Sequence, residues 1–155
     1  MNNEENKTIE IKNISSYNQK IDNINNTLIL IPKNIKKYIS FNDISNFDLT
    51  NSKINKCEVY SKDNIITNKN KYQKILTDIW NTMLIQNILQ NTTFNFKLSN
   101  ENTCGYRYIP KLKVSFQGKD ANKTMHEIIK MIKLKNYSID ISIELENKDI
   151  IYLKN

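Results

Sequence analysis

Glycine and proline are nearly absent from this chain, with two of each in 155 residues. A phosphate-cradling loop of the form G-x-x-x-x-G-K-[ST] needs glycines so that backbone N–H groups can wrap the phosphates. Here only Gly118-Lys119-Asp120 comes near it. The first glycine is missing, and a carboxylate that would repel phosphate stands where the hydroxyl belongs. The segment reads as a turn followed by a helix cap. Arginine is scarcer still, since Arg107 is the only one and every other strong base is lysine. A surface selected to grip phosphate or guanine usually keeps several guanidiniums, because they alone bind in a bidentate fork. Cysteine is limited to Cys57 and Cys104, far apart and outside any C-x-x-C, and His126 is the sole histidine. These fall short of the four ligands of a structural zinc site. A Cys57–Cys104 disulfide is allowed by count, with nothing to indicate an oxidising compartment. The longest purely apolar stretch, Leu28 to Pro32, is far too short to span a bilayer, and no apolar h-region follows Met1. The expectation is a soluble intracellular protein with no membrane span, no metal and no cofactor.

What the chain does contain is asparagine, lysine and isoleucine, which together make up nearly half of it. An AT-rich coding sequence writes these residues by default. The formal charge of +7 therefore has two readings: a polyanionic partner such as nucleic acid, or codon bias. Hydrophobic residues at 39% are mostly Ile, Leu and Phe, enough for one core and too many for wholesale disorder.

Residues 1–53 read as an N-terminal extension, partly ordered or packed on the main body, with short strands at Thr8–Ile14 and Thr27–Pro32 and a helical turn or loop at Ile35–Ile44. The domain proper is expected over 54–155. Lys56–Ser61 alternates as a short strand with Cys57 and Val59 on one face, and Ile65-Ile66 can pair with it. Asn68 or Asn70 is a candidate cap for a helix over Lys71–Gln90. In that helix Tyr72, Ile75, Leu76, Ile79, Trp80, Met83, Leu84 and Ile88 form an apolar stripe. Thr93–Ser99 alternates cleanly as a strand. Asn100–Gly105 is a turn, in which a scarce glycine marks a backbone angle that other residues resist. A long strand is expected over Tyr106–Gln117, with Tyr106, Tyr108, Leu112, Val114 and Phe116 facing inward. Asp120 caps a second helix over Ala121–Lys135. Tyr137–Glu146 is a strand, Asn147–Asp149 a turn, and Ile150–Leu153 a short return strand.

In order, residues 54–146 spell β-α-β-β-α-β. The expected fold is α+β, a two-layer sandwich with two helices on one face of an antiparallel sheet, in the ferredoxin-like order with a C-terminal return strand. The free sheet face would carry Lys56, Glu58 and Tyr60 from the first strand, Asn95, Lys97, Arg107, Lys111 and Lys113 from the central hairpin, and Asp140, Ser142 and Glu144 from the last strand, with lysines on one side and acids on the other. RNA recognition motifs stack bases on exposed aromatics of the central strands. Here those aromatics are expected to point inward, and the signature pattern is not matched. His126 falls one step off the stripe of its helix, as a surface histidine would. No usual catalytic constellation is present. The sequence therefore points to a non-enzymatic interaction or structural module acting through its surface, with a protein partner or self-association in view. The alternatives are nonspecific nucleic-acid binding through Lys97, Arg107, Lys111, Lys113, Lys119 and Lys123, and an enzyme with an unfamiliar site.

Overall fold

A computed structural model describes residues 17–22, 27–32, 36–91 and 97–155. The chain divides into two compact units, 1–35 and 36–155. In the first, β1 (Tyr17–Asp22) pairs antiparallel with β2 (Thr27–Pro32). β2 coincides with the strand expected there, while the strand expected at Thr8–Ile14 lies outside the described residues.

The second unit is mixed α+β. Its main sheet has five strands: β3 (Lys36–Ile39), β4 (Lys53–Ser61), β5 (Asn64–Thr67), β9 (Ser138–Glu144) and β10 (Ile150–Lys154). Their spatial order is β3-β10-β9-β4-β5. All neighbours are antiparallel except β3 and β10, which run parallel. A segment read as helical turn or loop is thus an edge strand in part. With aromatic and β-branched side chains at Tyr38 and Ile39, it takes the ladder that β10 leaves open.

Alternation decides which face is covered. Cys57 and Val59 on β4, Ile139, Ile141 and Ile143 on β9, and Ile151 and Leu153 on β10 are all buried. The register sets Cys57 opposite Ile141 and Ile141 opposite Leu153, so one apolar row crosses three strands. The helices pack on this face. α3 (Ala121–Lys135) starts at Asp120, whose carboxylate accepts from Lys123 N at 2.9 Å. It stops at Asn136 in the left-handed region, φ 53°. There Tyr137 N donates back to Ile132 O and Asn136 N to Lys133 O, the paired bonds of a Schellman ending. Met125, Ile128 and Ile132 are fully buried, and His126 is exposed.

The helix expected over 71–90 is two. α1 (Tyr72–Trp80) ends where Thr82 turns its hydroxyl onto Ile79 O at 2.6 Å, while Tyr137 OH reaches the same hydroxyl at 2.8 Å. A threonine that spends its side chain on a local carbonyl competes with helix continuation. α2 (Ile85–Asn91) resumes beyond it. The break keeps Met83 in the core but turns Leu84 out to 66% exposure. Neither Asn68 nor Asn70 caps α1. It starts at Lys71 with no side-chain cap.

The central strands depart from the ferredoxin-like order. β6 (Leu98–Ser99), β7 (Tyr106–Ile109) and β8 (Val114–Gln117) form a separate three-stranded sheet, β6-β8-β7. The long strand expected over 106–117 is a hairpin. Pro110–Leu112 makes a 3-10 turn, Lys113 takes φ 49°, and β8 folds back on β7. The register sets Arg107 opposite Phe116 and Tyr108 opposite Ser115, so Tyr106 and Tyr108, half-buried, lie on the other face from Phe116 and the expected inward row of aromatics does not form. Phe94 and Phe96 lie outside the described residues. Trp80 of α1 meets Phe116 of β8 edge to face at 4.4 Å, joining the small sheet to the common core.

Candidate binding clefts

On the free face of the main sheet, the register places Tyr38, Tyr152, Ser142 and Lys56 in one row and Lys154, Asp140 and Glu58 in the next. Lys56 reaches Asp140 at 3.1 Å and Glu58 at 3.6 Å, and Tyr60 donates to Glu58. Tyr38 stacks on Tyr152 with ring centroids 5.1 Å apart. The expected split into a lysine side and an acid side does not form. Lys97, Arg107, Lys111 and Lys113 belong to the smaller sheet and its connections, leaving Lys56 among acids. The network pulls the Lys56 ammonium above its ordinary value, chiefly through Asp140.

Two clefts adjoin on the outer side of α3. The larger, about 710 Å³, is bounded by residues 44–49 and by Asn122, Lys123, Met125 and His126. The smaller, about 370 Å³, shares Ile44, Ser45 and His126 and continues to Phe41, Ile129, Lys130 and Lys133. Their common wall, 41–49, is pinned to the helix by one amide. Asn122 Oδ1 accepts from Leu49 N at 2.8 Å, and its Nδ2 donates to Asp48 at 2.9 Å. Asp48 also accepts from the backbone and hydroxyl of Thr50. These bonds, the Thr50 hydroxyl first, hold its carboxyl down at about 2.

Along α3 the exposed edge of both clefts is Lys123, His126, Lys130 and Lys133. Spacings of three, four and three residues put all four on one helical face. Lys133 sits over the Phe41 ring, 5.7 Å from its centroid. The site is thus an apolar trough of Phe41, Ile44, Phe47 and Ile129, laid over the fully buried Met125, with a cationic lip. Of the six bases singled out from sequence, Lys123 lies on this lip, where it also pairs with Asp120 at 3.4 Å. Arg107 and Lys119 line a third cleft at the start of α1. Lys97, Lys111 and Lys113 are exposed and line none of the three. Sequence reading missed the 41–49 wall and Lys130 and Lys133. The i, i+3, i+7, i+10 recurrence of base was visible; what it faces was not.

Both cysteines are free, Cys57 buried and Cys104 exposed, so the disulfide allowed by count is not formed. Burial first, then Asp140 and Glu58, pushes the Cys57 thiol up to about 12. An unfolded thiol ionises from about 8.5. The folded state therefore holds a proton that the unfolded state loses. The contribution is whole below that value and declines as pH climbs toward 12. Chemical denaturation between pH 8 and 10.5 should show wild type losing midpoint faster than Cys57→Ala; parallel slopes would contradict the burial. In native protein a thiol reagent should label Cys104 quickly and Cys57 only on unfolding.

Among the described residues, no group of three or more His, Cys, Asp or Glu is placed to hold a metal ion, and no helix is long and apolar enough to cross a membrane. The fold and clefts define an α+β protein with surface grooves. The chain matches no family model, no curated protein and no solved structure.

Proposed function

We propose that this protein is a non-enzymatic interaction module, and that the trough beside α3 takes an amphipathic segment of a protein partner with acidic residues along one flank. The observation that carries the reading is the juxtaposition of apolar floor and basic lip. Phe41, Ile44, Phe47 and Ile129 offer the floor, and Lys123, Lys130 and Lys133 the lip. Helix-in-groove recognition uses these two elements: apolar anchors at i, i+3 or i+4 and i+7, and rim charges that fix orientation and approach. Lys130 and Lys133 have no ion-pair partner among the described residues, so a carboxylate on the partner would displace no existing pair.

The test is a titration of the labelled protein with a short helical peptide bearing leucines on one face and glutamates on the other. Its counterpart carries lysines in place of the glutamates. The acidic peptide should perturb backbone signals of Ile44, Met125 and Ile129. Its affinity should fall roughly tenfold or more, ~1.4 kcal/mol, in Lys130→Glu/Lys133→Glu. Equal binding of the two peptides, or perturbation confined to the free sheet face, would refute the reading.

A further inference from the structure

We propose that the third cleft, at the N-terminal end of α1, is an anion site for a ligand carrying closely spaced phosphates. The cleft is independent of the trough above. It measures about 310 Å³ and is lined by Lys71, Tyr72, Gln73, Lys74, Arg107, Lys119 and Ala121. Four of these seven are cations and none is an acid. The four come from three separate places in the chain: the start of α1, the middle of β7 and the turn before α3. None of them has an ion-pair partner among the described residues. In a chain whose other strong bases are all lysine, the single arginine lines the same cleft as three lysines. Codon bias scatters lysine freely over a surface, but it does not select the place of the one arginine.

Backbone geometry adds to the side chains. The first turn of a helix presents N–H groups without intrahelical partners and a partial positive charge. In α1 this end starts at Lys71, has no side-chain cap and holds no acid in its first turn. The contrast is α3, whose Asp120 occupies that role. The cleft is also held in shape. Gln73 Nε2 donates to Lys119 O at 2.6 Å and to Thr124 Oγ1 at 3.0 Å, binding the turn before α3 to the first turn of α1. Gly118 lies against the Gln73 amide, where a Cβ would sit 3.3 Å from Nε2, a tight contact. A backbone tied in place beneath cationic side chains suits a multiply charged oxyanion, with Arg107 giving the bidentate contact and the lysines neutralising the rest.

The experiment uses the full chain, titrated calorimetrically with inorganic triphosphate and, separately, with a single-stranded oligonucleotide, each at low and moderate salt. Binding of at least one probe is expected, weakening as salt rises. Arg107→Gln/Lys119→Gln should lose roughly tenfold or more in Kd, and so should Lys71→Gln/Lys74→Gln, which makes the same charge change on a different element. Lys53→Gln/Lys62→Gln removes equal charge elsewhere and should retain affinity. Thermal midpoints of all variants separate lost binding from lost folding. Triphosphate binding without oligonucleotide binding identifies a soluble polyphosphate ester as the source. Oligonucleotide binding with a salt slope of about −0.7 per phosphate identifies a nucleic-acid backbone. Failure of both probes to bind, a flat salt response, or equal losses in the control pair would each overturn the site. None of these results bears on the trough, whose own test uses peptides.

Discussion

Trp80→Ala should destabilise the protein by roughly 3–5 kcal/mol, the usual cost of emptying a buried tryptophan site. Trp80 is 1% exposed and Phe116, against which it stands, is fully buried. The pair joins α1 to β8, so the vacancy opens where helix layer and small sheet meet. Collapse around it would have to move two elements at once, which places the expected cost toward the upper half of that range. For a chain of this size the thermal midpoint should drop by roughly 10 °C. Trp80→Phe retains an aromatic partner for Phe116 and should cost less than half as much. Denaturant unfolding followed by circular dichroism measures both, because the only tryptophan fluorophore is lost with the substitution. A loss below about 1 kcal/mol for the alanine variant would mean that the small sheet does not share the core.

Ile141→Asp should be nearly as damaging at neutral pH and should carry a pH signature that a cavity lacks. Ile141 is fully buried between Cys57 of β4 and Leu153 of β10. An ionised carboxylate there would lose its hydration without gaining a partner, so the folded state keeps the group protonated and its pKa rises. An unfolded aspartate ionises near 3.9. Above that value the unfolded state releases a proton that the folded state holds. The deficit relative to wild type should therefore widen as pH rises from about 4 to 7 and shrink as pH falls below 4. Equilibrium unfolding at pH 3.5 and 7, read through Trp80 emission, checks it. A deficit that stays constant across that interval would show the site open to water.

How much of this was legible in the residues depends on whether the cause was local. α3 was readable from end to end, because Asp120, the apolar spacing and the change of character after Lys135 all lie within one segment. The β4, β9 and β10 alternation was readable for the same reason. The break between α1 and α2 was not, since it turns on Thr82 meeting Tyr137, more than fifty residues away. The hairpin at 106–117 misled differently. The Pro110–Leu112 turn preserves an alternating apolar pattern across a reversal of direction, and the left-handed residue that closes it is Lys113, where no glycine advertised a bend. That misreading merged two strands, and the ferredoxin-like order fails further because β6, β7 and β8 form a sheet of their own. The clefts are further from local sequence still. Lys71 and Lys74 look like ordinary solvent-facing residues of a helix start. Only the fold brings Arg107 and Lys119 to them, just as only the fold lays 41–49 against α3.

The parallel pairing of β3 with β10 bears on the timing of assembly. Strand β4 is made before its sheet neighbour β9, which follows it by more than seventy residues, and β3 is made before the β10 on which it rests. At roughly 5–20 residues per second, β4 spends several seconds with one edge unpaired and its apolar side chains uncovered. Ribosome-bound intermediates that stop short of residue 138 should accordingly be the aggregation-prone species, and a nascent-chain chaperone would find its work in that interval.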